Sequence, residues 1–249
     1  MRAIILAAGV GKRMGKITHR RTKGMVSVNG KKLIDHILDF LELNIIDEAI
    51  VVGGYYFKEL KEHVDNRNLK NVKAIENKNF HKGNIFSLIR GLKEFSGDSF
   101  LITNVDHIYP RAMFKKMKES FKHITAMCDF DRELTDDDMK VKLKKCNGSI
   151  SIDQIRKGLN DYNCGYIGMT YVDISMEEAY RNAIQETLKR RGDGAVVEDI
   201  LQTLAEDEKT APQICDLSGF QWHEVDTEDD LIRTEKDILT NKQLIKSTR

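Results

Sequence analysis

Proline and tryptophan are scarce in this chain. Pro110 and Pro212 are the only prolines among 249 residues, Trp222 is the only tryptophan, and no repeat or low-complexity segment interrupts the sequence. Cysteine is present only at 128, 146, 164 and 215, with gaps of 18, 18 and 51 positions. That spacing contains no C-x-x-C pair and no zinc-ligand rhythm, so four free thiols in a reducing compartment are expected. No stretch approaches the ~20 apolar residues of a membrane span. The run Arg2–Ala8 is too short for a signal-peptide core and leads into the glycine-rich, basic segment Gly9–Lys16. A soluble, cytoplasmic chain without a membrane span is therefore expected. Forty basic side chains face 39 acidic ones, for a net charge of +1. Such a balance gives no general attraction to nucleic acid, so any phosphate site must be a local cluster. With 41% hydrophobic and 32% charged residues, the chain is neither disordered nor membranous in composition.

What is present is a strict alternation of periods. Arg2–Ala8 reads as a strand, and Lys31–Asn44 as a helix on the spacing of Leu33, Ile34, Ile37, Leu38 and Leu41. Ala49–Gly53, Val72–Ile75 and Ser99–Asn104 read as further strands, separated by helices at Phe57–Val64 and Ile85–Phe95. Strands alternating with helices imply an α/β fold, a mostly parallel sheet with helices on both faces. From about Ala126 to Tyr171 the pattern shifts to short strands, Lys140–Lys145, Ser149–Ile155 and Tyr166–Tyr171, with a turn at Asn147-Gly148. This stretch is expected to be a small antiparallel lid or acceptor-binding region within one domain spanning 1–249. Helices are expected at Met176–Lys189, Val196–Ala205 and Asp229–Leu239, and short strands at Gln213–Leu217 and Gln221–Val225.

Ligands of open α/β sheets bind outside the carboxyl ends of the strands. Two chemically suited segments fall there. The loop Leu6-Ala-Ala-Gly-Val-Gly-Lys-Arg-Met-Gly15 leaves the first strand with small residues Ala7, Ala8 and Gly9, which allow close backbone approach. Its successive N–H groups can form an anion nest, and Lys12, Arg13 and Lys23 supply positive charge. The Walker pattern fails here, because Val10 stands at its first glycine and Ile17 at its hydroxyl position; the dinucleotide pattern fails at Met14. The second segment is Asp106, at the end of an apolar strand, where a carboxylate suits Mg²⁺. A further acidic site lies in Trp222-His-Glu-Val-Asp-Thr-Glu-Asp-Asp-Leu231, where Glu224 and Asp226 would share one side of a strand. Helix capping by Asp226 or Thr227 is the competing account of that segment. Asp129, Asp131 and Asp136–Asp138 lack the glycine and terminal glutamate of a calcium loop and read as a solvated turn.

Three segments carry a family resemblance: Ile4-Ile-Leu-Ala-Ala-Gly-Val-Gly-Lys-Arg13, Thr22-Lys-Gly-Met-Val-Ser-Val-Asn-Gly30 and Leu33-Ile34. Together they resemble the amino-terminal signature of sugar-phosphate and alcohol-phosphate nucleotidyltransferases. Within that superfamily, Glu76–Leu88, Leu101–Tyr109, Ile155–Gly165 and Trp222–Leu231 are most similar to inositol-1-phosphate cytidylyltransferases. The resemblance implies a Rossmann-like nucleotidyltransferase fold, CTP as donor, Mg²⁺ as cofactor and inositol 1-phosphate as acceptor. It assigns Arg13, Lys23 and Asp106 to catalysis. Leu6, Ala7, Ala8, Gly9, Gly11 and Lys12 would line the nucleotide with Arg13 and Lys23, joined by Gly54, Asn84 and Ser87. Lys157, Gly165 and Glu198 would meet the acceptor, and Asp106, Asp226 and Glu224 the metal.

Thr22 stands where the superfamily usually has proline, and a Glu-x-Asp pair after tryptophan also resembles phosphocholine cytidylyltransferases. Phosphocholine, an aminoalkylphosphonate or a sugar 1-phosphate are accordingly the alternative acceptors. A catalytically silent nucleotide-sensing module is the alternative of a different class. The sequence leaves the oligomeric state, a homodimer included, open.

Overall fold

The computed structural model describes residues 1–43, 45–146 and 148–240. In chain order, the first half contains β1 (Arg2–Ala7), β2 (Ser27–Val28), β3 (Lys31–Lys32), α1 (Leu33–Phe40), β4 (Glu48–Gly53) and α2 (Phe57–Asn66). It continues with β5 (Val72–Glu76), α3 (Ile85–Leu92), β6 (Phe100–Asn104), β7 (His107–Ile108) and α4 (Arg111–Lys118). The second half contains β8 (Ile124–Asp129), β9 (Lys140–Cys146), β10 (Ser149–Arg156), β11 (Cys164–Val172) and α5 (Glu177–Arg191). It closes with α6 (Val197–Leu204), β12 (Gln213–Asp216), β13 (His223–Glu224) and α7 (Glu228–Thr240).

One sheet in the order β5-β4-β1-β6-β11-β8-β12-β10-β9 organises the molecule. Its first four strands are parallel, as the alternation of helices and strands requires, because each crossover returns over a face. From β11 onward the pairings are antiparallel except β12 with β8. Strand β9 also pairs with β11 through Cys164↔Val141 and Gly165↔Lys140, so the far edge curls back on itself. The antiparallel stretch is thus continuous with the main sheet, and three of its strands, β8, β10 and β11, lie in the sheet's interior.

Period-2 alternation sorts β1 onto two cores. Ile4 and Leu6 pack with α3, α5 and α6, and Ala3, Ile5 and Ala7 with α1, α2 and α4. β4 divides likewise, Ile50 and Val52 against Ala49 and Val51. A third, smaller cluster of Met14, Val26, Val28, Leu33, Ile108, Val225 and Ile238 ties the loop after β1 to the β2–β3 hairpin and to α7. This cluster anchors the functional loops.

The first helix is shorter than its periodicity predicts. Lys31 and Lys32 instead pair with Val28 and Ser27 across Asn29-Gly30, whose φ values of 50° and 79° fit a type I′ turn. The expected carboxyl end of that helix at Asn44 lies outside the described residues, as does Asn147 of the expected turn. Helix α4 and strand β8 are additional to the expected elements. Pro110 before the first helical residue, with Met113, Phe114 and Met117 buried on one stripe, is the signal that marks α4. Cys128, Cys164 and Cys215 are buried free thiols, as expected; the side chain of Cys146 lies outside the description.

Candidate active site

The loop after β1 is shaped by Gly11, whose φ of 66° opens a left-handed turn before the 3-10 segment Lys12–Thr18. Thr18 Oγ1 donates to the Gly11 carbonyl at 2.8 Å, and buried Met14 pins the segment to the third cluster. Lys12 and Arg13 consequently face solvent while their backbone is fixed. Thr22, in the position usual for proline, donates its hydroxyl to the Ala7 carbonyl at 3.1 Å and so ties the next turn to β1. Gly24 follows with its Cα against Val105; a Cβ there would lie 3.1 Å from Val105 Cγ2. This close approach brings Lys23 beside Asp106.

Asp106 sits between β6 and β7. Strand β13 pairs with β7, His107 opposite Glu224, and the Val225 N–H donates to the Asp106 carbonyl at 2.9 Å. Residues 120 positions apart in sequence thereby meet. Lys23 Nζ donates to Asp106 Oδ2 at 2.7 Å and to Asp226 Oδ1, with its side chain only 6% exposed. Arg13 pairs with the other oxygen of Asp226. His107 Nδ1 lies 2.7 Å from Asp106 Oδ1. One ligand atom each from Asp106, His107 and Glu224 lie within 4.8 Å of one another.

Burial works against the charge on Lys23, but Asp106 and Asp226 outweigh it and hold its pKa above the ordinary lysine value. Burial alone would raise Asp106; Lys23 and His107 instead hold it far below the usual carboxylate range. Burial pushes the Glu224 carboxyl up, and Asp106 and Asp226 add to that rise against the opposing pull of His107. The site is therefore a cluster of three carboxylates in which a buried ammonium already takes the place of one cation.

A cavity of ≈ 690 Å³ opens from this cluster toward the curled edge of the sheet. Asp137 stands at its mouth and pairs with both Arg13 and Lys157. Lys157, Glu224, Asp226 and Arg13, all expected at the site, line this one cavity. Glu198 on α6 feels the charges of both Lys157 and Asp106, and burial pushes its carboxyl up to about 7.

The remaining expected residues are placed mainly by packing. Leu6 and Ala7 give their side chains to the cores, so only their backbone is open to a ligand role. The carbonyl of Ala8 accepts from the Tyr55 N–H, and Gly9 has open space around its Cα. Gly54 is wedged between Phe80 and Ala8, where a Cβ would come 2.3 Å from Phe80 Cβ. Asn84 Oδ1 accepts the Val197 N–H at 2.9 Å and joins α3 to α6; Ser87 Oγ accepts from Asn77 at 3.0 Å. Gly165 packs under Leu134, which a Cβ would approach to 2.8 Å.

The acidic stretch read as a solvated turn is more than that. Asp136 and Asp131 are exposed, but Asp137 bridges two site cations, and Asp129 accepts the Trp222 indole N–H at 2.7 Å. Arg132, from the same stretch, lies over the Trp222 ring. Nothing in their spacing shows this, because it depends on how β8 and β9 pair with β11.

Over 241 residues the chain is 26% identical to the "Bifunctional IPC transferase and DIPP synthase" of Archaeoglobus fulgidus, covering 96% of this chain and 44% of that protein. It is 34% identical over 116 residues to the "Choline-phosphate cytidylyltransferase" of Streptococcus pneumoniae, covering 46% of this chain and 48% of that one. The chain spans about half the length of the curated relatives it matches. The solved inositol-1-phosphate CTP transferase from T. maritima superposes with a TM-score of 0.77 at 21% identity, covering 95% of this chain and 96% of that one. That likeness shows a shared Rossmann-like fold. Residues 3–134 match the model of the MobA-like NTP transferase domain, and the chain belongs to that family.

Proposed function

We propose that the chain is a cytidylyltransferase that joins CMP from CTP to inositol 1-phosphate, releasing pyrophosphate and forming CDP-inositol. The observation that carries this reading is Lys23 clasped between Asp106 and Asp226, with Arg13 on Asp226 and Lys157 joined to Arg13 through Asp137. Two groups of phosphates brought together need several cations close by, and the grouping of Arg13, Lys23 and Lys157 supports that reading.

The acceptor phosphate attacks the α-phosphorus of CTP in line, the new P–O bond forms, and the bond to the β-phosphate breaks with pyrophosphate as leaving group. The attacking oxygen is already anionic, so no protein base is needed. The work of the side chains is positioning and charge neutralisation. Arg13 and Lys23 meet the triphosphate, and Lys157 holds the acceptor phosphate. His107 orients Asp106.

The carboxylates of Asp106, Asp226 and Glu224 are hard oxygen donors suited to Mg²⁺, and Asp106 and Asp226 would hold it. Bound there, the metal would draw negative charge from the phosphates. CTP is a cytoplasmic nucleotide, so the cytoplasm is the compartment of the reaction. A silent nucleotide-sensing module would not need Lys23, Asp106 and Asp226 kept together. Pyrophosphate release across the four NTPs with inositol 1-phosphate, phosphocholine, 2-aminoethylphosphonate and hexose 1-phosphates tests the reading. Release requiring a hexose 1-phosphate would reject it.

A further inference from the structure

Four arginine and lysine side chains line the cavity, and three of them are held closely by carboxylates. Arg13 pairs with Asp137 and Asp226, Lys157 with Asp137, and Arg233 with Asp230 at 2.5 Å. Arg132 differs. Among the described residues its guanidinium makes no hydrogen bond, and its ion pair with Asp138 Oδ1 is long, at 4.0 Å. It is held by stacking instead, its central carbon 4.3 Å from the centroid of the Trp222 ring.

Trp222 is itself fixed. Its indole N–H donates to buried Asp129 at 2.7 Å, and its ring stacks on His107 with centroids 5.6 Å apart and planes 12° from parallel. A guanidinium carries five N–H donors in its plane and no acceptor. With its central carbon held over the indole, the guanidinium presents those donors on a residue that lines the cavity.

This arrangement has two consequences for an acceptor. An exposed aromatic face attracts quaternary ammonium groups by cation–π interaction. Here that face already carries a cation, so a trimethylammonium group would meet both a blocked ring and a like charge. An acceptor body rich in oxygen would find unsatisfied donors in a fixed fork. Eight carboxylates line the cavity, among them Glu133, Asp138, Glu224 and Asp237 besides the engaged Asp129, Asp137, Asp226 and Asp230, so the discrimination against a quaternary ammonium is made at the Trp222 ring, which already carries Arg132.

We infer that Arg132, held on Trp222, is the acceptor-selecting residue of this site: it hydrogen-bonds an oxygen-rich acceptor body such as a polyol phosphate and excludes quaternary ammonium acceptors. The inference rests on the cytidylyltransferase reading for what the cavity holds, and its test is independent of turnover. Trp222 is the only tryptophan of the chain, so its fluorescence reports occupancy of the cavity beside it. Inositol 1-phosphate and phosphocholine are titrated into the wild type, Arg132→Ala and Arg132→Lys with Trp222 emission as the readout, and kcat/KM is measured for both acceptors with CTP.

The wild type should bind inositol 1-phosphate more tightly than phosphocholine. Arg132→Ala should shift the ratio of the two dissociation constants toward phosphocholine by about tenfold or more, the weight of one charged hydrogen bond. Arg132→Lys keeps the charge but loses the planar fork, and should weaken inositol 1-phosphate while still rejecting phosphocholine. A ratio unchanged in both variants, or a wild type that prefers phosphocholine, overturns the inference. If no acceptor is turned over but the binding ratio shifts as stated, the cytidylyltransferase reading falls and the role of Arg132 stands.

Discussion

Lys23 Nζ lies 2.7 Å from Asp106 Oδ2 and also bonds Asp226, so a single buried ammonium joins the loop after the first strand to carboxylates from the middle and the end of the chain. Removing it has two separable effects. Lys23→Ala should reduce turnover by about 100-fold or more, as loss of a preorganised charge contact does. It also leaves two carboxylates facing each other, which should cost about 3–5 kcal/mol of stability. If these carboxylates hold a divalent metal, added Mg²⁺ should raise the melting temperature of Lys23→Ala more than that of the wild type. Equal shifts in thermal melts with EDTA and with Mg²⁺ would remove them as metal ligands.

Asp137 occupies two cations that the proposed substrates need. Arg13, Lys157 and Asp137 are all about half exposed, at 52, 49 and 59%, so the pairs are weakly held. Exposed ion pairs are worth about 0.2–1 kcal/mol, so Asp137→Asn, which frees Lys157 and leaves Arg13 held by Asp226 alone, should lower the KM of CTP and of the acceptor by no more than about fivefold. Steady-state kinetics at low and high salt check this. A higher KM for both substrates would mean that Asp137 aids binding instead.

With the acceptor phosphate at Lys157 as proposed, Glu198 should make its binding sensitive to pH near neutrality. Burial raises its carboxyl to about 7, so it is largely neutral below that pH and charged above it. A charged Glu198 repels an acceptor phosphate near Lys157. The acceptor KM should therefore rise severalfold as pH increases through 7, and the rise should be smaller in Glu198→Gln. Since the acceptor's own phosphate also titrates in this range, the difference between the two profiles is the diagnostic. Superimposable profiles would exclude Glu198 from the acceptor site.

His36, on the first helix, offers a check on stability away from the site. Burial, aided by Lys31, lowers its pKa to about 4 from the ordinary value of 6.5. The unfolded chain then binds the proton more readily between these pH values, so stability falls as pH drops through that window. The full difference corresponds to a loss of about 3 kcal/mol by pH 4, an upper figure for one group. Urea denaturation at pH 7, 5.5 and 4.5 should show this slope in the wild type and a shallower one in His36→Gln. Equal slopes would contradict it.

The parts of the site readable from sequence were those governed by local rules. Strand ends in a parallel sheet mark ligand positions, so the places of Gly11, Arg13 and Asp106 are legible in the sequence itself. Asp226 required the further pairing of His107 with Glu224, which only the signature around Trp222 hinted at. The Lys31–Lys32 hairpin strand was hidden because it merges into the helical pattern of Leu33 onward. Arg132 and Asp137 were out of reach for a different reason. Their roles come from the curl that pairs β9 with β11, a tertiary closure that leaves no period or motif in the chain. Asn84 and Ser87 show the reverse case, polar residues whose hydrogen bonds turn inward to join α3 with α6 and with Asn77.

The central claim is tested most directly by identifying the product by mass spectrometry after incubation with CTP, inositol 1-phosphate and Mg²⁺. The wild type should yield CDP-inositol and pyrophosphate in equal amounts, and Lys23→Ala should yield almost none. Failure of the wild type to form any cytidylylated product with this acceptor, while it does so with another, would contradict the account of the acceptor. Failure with every NTP and acceptor tested would contradict nucleotidyl transfer itself.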